Sequence, residues 1–135
     1  MKRVVLGIIE RKVLGKKQYL LVSATKKSGK YTGFYYPPGG HMKEGEEESE
    51  TIIREIREEL GYEVKVLNKI TESMGDTKNQ LTYWWLCKII KGKLRIKKEE
   101  IINAKWFSEK EIIDEEKIWP ATKEVFINYI FKKNI

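Results

Sequence analysis

The stretch GHMKEGEEESETIIREIREELGY, residues 40–62, decides the reading of this chain. Its second half has helical periodicity. On a helical wheel of Glu46–Leu60, Ile52, Ile53, Ile56 and Leu60 fill one arc about 100° wide, a core-facing stripe. Glu55, Glu58 and Glu59 fill a second arc centred roughly 120° away, stacked at i, i+3 and i+4. Three like charges on one turn cost a few tenths of a kcal/mol per pair. They also lie toward the helix C-terminus, where the backbone dipole disfavours negative charge. Selection for helix stability alone would place Lys there. A divalent cation removes the conflict, and Mg²⁺ takes hard oxygen donors of this kind while keeping waters and substrate phosphates in its shell.

Working outward, the block is an electrostatic island. The chain has 135 residues and a formal charge of +7. Residues 44–63 hold nine Glu against two Arg, −7, so the remainder carries 25 basic against 11 acidic residues, +14. The basic total alone suggests a phosphate-bearing partner. The acid block repels such a partner until a cation reverses its local sign. The basic pI is therefore weak evidence for nucleic acid, and no stable nucleic-acid complex is expected.

The flanking pattern is more specific than the Glu triple. Gly40, five residues, Glu46, seven residues, then Arg54-Glu55-Ile56-Arg57-Glu58-Glu59-Leu60-Gly61-Tyr62 is a fixed-spacing signature. At this composition its seven Gly, Glu and Arg matches arise by chance in roughly one window in ten million, about a hundredfold more often allowing for local Glu enrichment. The stretch resembles the box of the Nudix family of Mg²⁺-dependent pyrophosphohydrolases, the MutT-like proteins: Gly-x5-Glu-x7-Arg-Glu-U-x-Glu-Glu-x-Gly-U, with U a bulky aliphatic. Every fixed position matches, and only the last U departs, to Tyr62, a packing adjustment.

The resemblance implies metal-binding carboxylates at Glu55, Glu58 and Glu59, with the Gly40 carbonyl as backbone ligand and Mg²⁺, or Mn²⁺, as cofactor. It implies that Arg54 and Glu46 form a structural ion pair orienting the glutamates, and that Gly61 is structural in the motif. An acidic residue before a Trp-containing strand (Lys105–Ser108) joins the metal or serves as base in such proteins, and Glu99 or Glu100 sits at that place. Which carboxylate of Glu55, Glu58, Glu59, Glu99 and Glu100 takes the proton is left open. Trp119-Pro120-Ala121-Thr122 resembles a segment whose Asn reads an oxidised guanine. Thr122 replaces that Asn as the substrate-contact candidate, and a hydroxyl cannot make the bidentate amide-to-base pair. The implied reaction is hydrolysis of a pyrophosphate bond in a nucleoside diphosphate derivative, foremost a (d)NTP giving NMP and pyrophosphate. The alternatives are ADP-ribose, nucleotide sugars or dinucleoside polyphosphates, or a non-catalytic nucleotide- or nucleic-acid-binding module.

The rest of the chain supplies the frame. Arg3–Glu10 and Gln18–Ala24 read as a hairpin around Gly15. Thr25–Gly33 is a polar loop in which Lys26, Lys27 and Lys30 are placed to meet polyphosphate. Phe34–Tyr36 reads as a short strand broken by Pro37-Pro38. Tyr36 is a substrate-contact candidate, and Tyr35, Tyr83 and Trp84 are further candidates for a stacking wall. Gly61 suits the left-handed position ending the helix. Glu63–Ser73 and Gln80–Lys91 predict an antiparallel pair, and Ala104–Phe107 a short strand. Ser108 and Glu111 form a capping box for Glu109–Glu115. Pro120 starts a last helix reaching about Lys132. The sum is one domain over 1–135, an α/β (α+β) sandwich of the Nudix α/β/α type with a mixed central sheet.

Composition excludes several classes. One Cys (Cys87) and one His (His41) rule out an internal disulfide framework, a thiolate zinc cluster and a two-His motif. No run approaches the ~18 apolar residues of a membrane span, and the apolar start, Val4–Ile9, is too short for a signal-peptide core. The expectation is a cytoplasmic protein with a small-molecule nucleotide substrate and no membrane partner, as monomer or homodimer.

Overall fold

A computed structural model describes residues 1–24, 31–74 and 79–132. The order is β1 (Lys2–Val13), β2 (Lys16–Ala24), β3 (Gly39–His41), α1 (Glu48–Leu60), β4 (Tyr62–Met74), β5 (Gln80–Gly92), β6 (Ile101–Ser108), α2 (Glu109–Asp114) and α3 (Pro120–Val125), then a π-helical turn over Phe126–Ile130. The sheet runs β4-β5-β1-β2-β6. β1 is parallel to β5, while β1–β2, β4–β5 and β2–β6 are antiparallel, so the sheet is mixed. On its other edge β1 is shared: Ile9–Val13 pair with β2, and Val4–Leu6 pair with β3.

Alternation along the strands sends apolar side chains to both faces. Val5, Ile9, Leu20, Val22 and Cys87 meet Ile52, Ile56 and Leu60 of α1. Ile8, Tyr19, Leu21, Trp84 and Phe107 meet Ile112 of α2, Val125 of α3 and Phe126. The sheet is thus sandwiched between helices. α1 lies close because Gly7 has no side chain: a Cβ there would stand 3.0 Å from Ile56 Cδ1 and 3.1 Å from Ile52 Cγ2.

Several boundaries differ from the sequence expectation. The long helix starts at Glu48, since Glu47 caps it and its N–H donates to Glu50 Oε1 at 2.9 Å. Glu46 is released from the helix and turns toward Arg54. Phe34–Tyr36 is not a strand but two isolated bridges, Tyr36 to Val22 and Tyr35 to Ile118. The final helix is α-helical only to Val125. The π turn follows, closed by the Phe131 N–H donating to Phe126 O at 2.8 Å. Strand β3 was not expected, because two glycines give it no β-propensity of its own. Among the described residues no helix is long and apolar enough to cross a membrane.

Candidate active site

Three pieces of chain meet where the last turn of α1 overhangs β3. The first is α1 itself. Gly61 ends it in the left-handed region at φ 77°, its N–H bonded to Arg57 O. The second is β3, held flat against β1 by the register Val5–Gly40 and Leu6–Gly39. Gly40 faces Glu55 with no room between them: a Cβ on Gly40 would stand 2.6 Å from Glu55 Cδ. The third is the β5–β6 connection. Its backbone binds the otherwise unpartnered carbonyls at the end of α1, the Arg95 N–H donating to Leu60 O at 2.8 Å and the Lys97 N–H to Glu59 O at 2.9 Å. That docking delivers Glu100.

Glu55, Glu59 and Glu100 each bring a carboxylate oxygen to within 4.8 Å of the others. Glu59 is only 6% exposed, and among the described residues its Oε2 is a buried polar atom with no hydrogen-bond partner. Burial first, then the charges of Glu55 and Glu100, push its carboxyl up to about 8, against a partly offsetting hydrogen bond from the Gly39 backbone. Burial also raises Glu55, opposed by the Arg54 guanidinium. An orphaned buried oxygen, a cradle that only glycine leaves open and an all-carboxylate donor set fit a hard divalent cation.

Arg54 organises the group. Its Nε and Nη2 donate to the two oxygens of Glu46 at 2.6 and 3.0 Å, and its Nη1 donates to Glu55 Oε1 at 2.9 Å. Nη2 also reaches His41 O at 3.2 Å, tying the helix to β3. Glu46 further accepts from the Lys43 N–H and the Thr51 hydroxyl, and with Arg54 these hold its carboxyl down at about 2. Glu58 is the outlying member, 46% exposed and 3.4 Å from Arg54 Nη1. It lies outside the 4.8 Å group, as does Glu99.

The other sequence candidates are sorted differently. Tyr36 is half-buried beside the acids, and burial with the charges of Glu59 and Glu100 pushes its phenol up to about 12. Thr122, the substrate-contact candidate, is buried in α3 at 1% exposure. Tyr83 and Trp84 are buried in the two cores and form no stacking wall. Tyr35 packs edge-on against Phe107 and accepts a hydrogen bond from Asn103 Nδ2. Lys26, Lys27 and Lys30 lie outside the described residues. Trp119, not among the sequence candidates, brings its ring edge-on to Tyr36 at 6.4 Å and to within 4.6 Å of Tyr31. Its signal was the Trp-Pro pair at a helix start.

A mixed sheet between helices thus carries an Arg-ordered carboxylate group over a Gly-Gly strand. The chain belongs to the Nudix family: the NUDIX domain model matches residues 1–129. It is 32% identical over 93 residues to an NAD-capped RNA hydrolase, NudC, of Mannheimia succiniciproducens, covering 67% of this chain and 35% of that protein. The chain spans about a quarter to two-fifths of the length of the curated relatives it matches first. Among solved structures, it resembles a NUDIX hydrolase from Nitrosomonas europaea with a TM-score of 0.80 at 20% identity, covering 98% of this chain and 71% of that one. It resembles a C. elegans Ap4A hydrolase with a TM-score of 0.72 at 22% identity, covering 98% of this chain and 100% of that one.

Proposed function

We propose that residues 1–135 act as one Nudix pyrophosphohydrolase domain that cleaves the diphosphate of nucleoside diphosphate derivatives with Mg²⁺, Mn²⁺ being the substitute. The observation that carries this is the convergence of Glu55, Glu59 and Glu100 around an unpartnered buried oxygen of Glu59. These three, with the Gly40 carbonyl and the outlying Glu58, would hold the cation. Bound there, it would neutralise diphosphate charge and lower the pKa of an attacking water. The protein's own part is positioning. Arg54 fixes Glu55 and keeps Glu46 ionised. The docked connection holds Glu100 in place. A carboxylate of the cluster accepts the water's proton. Tyr36, kept as a neutral phenol, borders the acids and offers a donor to a phosphate oxygen.

With a (d)NTP the products are NMP and pyrophosphate. A second reading, a diphosphate joining two nucleoside or sugar groups, is supported by the named activities of the NAD-capped RNA hydrolase relative and the Ap4A hydrolase neighbour. A solved UDP-X diphosphatase shares the fold with a TM-score of 0.71. Thr122 stands where the resembling segment has its Asn, cannot make the bidentate amide-to-base pair and is 1% exposed, which supports this reading over a base-specific triphosphatase.

The test is a Mg²⁺-dependent hydrolysis panel of (d)NTPs, ADP-ribose, nucleotide sugars and dinucleoside polyphosphates, run on the wild type, Glu58→Gln and Glu59→Gln. Turnover by the wild type that collapses in both variants supports the assignment. Turnover near wild type in Glu59→Gln on every compound sinks the metal-site reading.

A further inference from the structure

The β1–β2 hairpin is built against its own stability. Its two-residue turn is Leu14-Gly15, with φ 50° and 80°. A turn with both central residues left-handed favours Asn-Gly, and a Leu in that region is strained. Leu14 is moreover 98% exposed, and Val13 beside it 40%. On the adjoining strands Lys12 stands directly opposite Lys17, a like-charge pair that costs stability. Every residue from Arg11 to Lys17 is exposed.

The neighbouring strands continue this composition. β5 runs parallel to β1 with Ile9 beside Cys87, so the end of β5 lies at the same end of the sheet. There Lys88 and Lys91 are exposed, as is Ile90 at 59%. Of the acids near them, Glu63 is gripped by Arg57, and Glu10 receives the Tyr19 hydroxyl and lies 3.9 Å from the Lys17 ammonium. One end of the sheet thus mixes lysines with exposed aliphatic side chains. The hairpin tip lies away from the carboxylates. Val13 is eight residues along β1 from Val5, the partner of Gly40, or roughly 26 Å.

We infer that this end of the sheet is a docking surface for an anionic lipid bilayer, with the Leu14 tip entering the headgroup boundary and the lysines meeting acidic headgroups. The charge is complementary to the negative leaflet, and aliphatic tips fit acyl chains where a nucleobase would need exposed rings. Trp106, beside the hairpin, is covered by the Arg11 guanidinium at 3.9 Å, and Tyr19 is buried. A surface that rests on a bilayer needs no spanning segment, which is all that the expectation of no membrane partner relied on. Hydrolysis proceeds at the remote site, which this orientation leaves open to solvent.

The test is co-sedimentation with phosphatidylglycerol–phosphatidylcholine vesicles, with pure phosphatidylcholine vesicles and poly(U) RNA alongside. The wild type is expected to bind the anionic vesicles alone and to release them as salt rises. Leu14→Asn gives the turn its favoured residue and so leaves folding intact. It is expected to weaken vesicle binding about tenfold. Lys12→Glu with Lys16→Glu is expected to weaken it by about fivefold per charge removed or more. Neither change should alter hydrolysis of soluble substrate. Failure to bind anionic vesicles at low salt overturns the proposal. So does equal binding by Leu14→Asn, and so does RNA binding with this variant sensitivity in the absence of vesicle binding. Loss of hydrolysis through Glu58→Gln leaves these readouts untouched, so the two assignments stand or fall separately.

Discussion

Arg54 holds Glu46 across eight residues by a two-pronged contact, 2.6 Å from Nε and 3.0 Å from Nη2, while its remaining nitrogen holds Glu55 at 2.9 Å. One planar fork therefore sets both the loop before α1 and a carboxylate of the proposed metal site. Lys carries the charge but not the fork. Arg54→Lys is expected to lower kcat or Mg²⁺ affinity by about 10–100-fold with the fold intact by circular dichroism. Retention of wild-type kcat and Mg²⁺ affinity would remove Arg54 from the organising role.

Gly40 tests the cradle. A Cβ there meets the far end of the Glu55 side chain, which can swing away. Gly40→Ala is therefore expected to spare thermal stability and to impair divalent-ion binding, read by calorimetric titration. A large drop in Tm with unchanged metal affinity would contradict the geometry.

Gly61 tests the frame. It sits at φ 77°, and a Cβ would stand 2.8 Å from Lys93 O, a backbone atom that cannot rotate away. Gly61→Ala combines left-handed strain of about 1–3 kcal/mol with displacement of the connection that carries Glu100. Both denaturant stability and activity should fall, unlike in Gly40→Ala.

The pH dependence follows from Glu59, whose carboxyl is raised to about 8. The folded metal-free protein binds this proton more tightly than the unfolded chain does. Its contribution to stability is full below the ordinary carboxylate range and is lost as pH rises toward 8. A cation must displace the same proton, so Mg²⁺ affinity should climb with pH up to about 8 and then level. Urea melts with EDTA at pH 5 and pH 8, and calorimetry in buffers of differing ionisation enthalpy, measure the two effects. Glu46 has the opposite sign. It is held down at about 2, so its contribution is present above the usual carboxylate range and fades as pH falls toward 2.

The legible parts of the chain were those whose logic is local. The Ile52, Ile53, Ile56 and Leu60 stripe follows from 3.6-residue periodicity and packs on the sheet, while of the Glu55, Glu58, Glu59 arc the carboxylate group takes in Glu55 and Glu59 and leaves Glu58 outside. The parallel pairing of β1 with β5 joins residues far apart in sequence, and no pattern within either strand announces it. Glu99 and Glu100 look alike in sequence. What separates them is the docking of Arg95 and Lys97 onto the last carbonyls of α1, a contact that exists only once both elements are in place. Thr122 shows the converse: a motif-like setting suggested substrate contact, and the face of α3 on which it falls buries it.

The docked β5–β6 connection makes the carboxylate cluster a late-assembling structure. Glu55 and Glu59 become neighbours when α1 forms, but Glu100 joins them only after β5 and β6 have taken their places in the sheet. Cation affinity is therefore a reporter of completed folding, and occupancy should feed back on the connection. Amide hydrogens of Arg95 and Lys97 should exchange more slowly when Mg²⁺ is added. Those of the hairpin tip, which shares no contact with the cluster, should not respond.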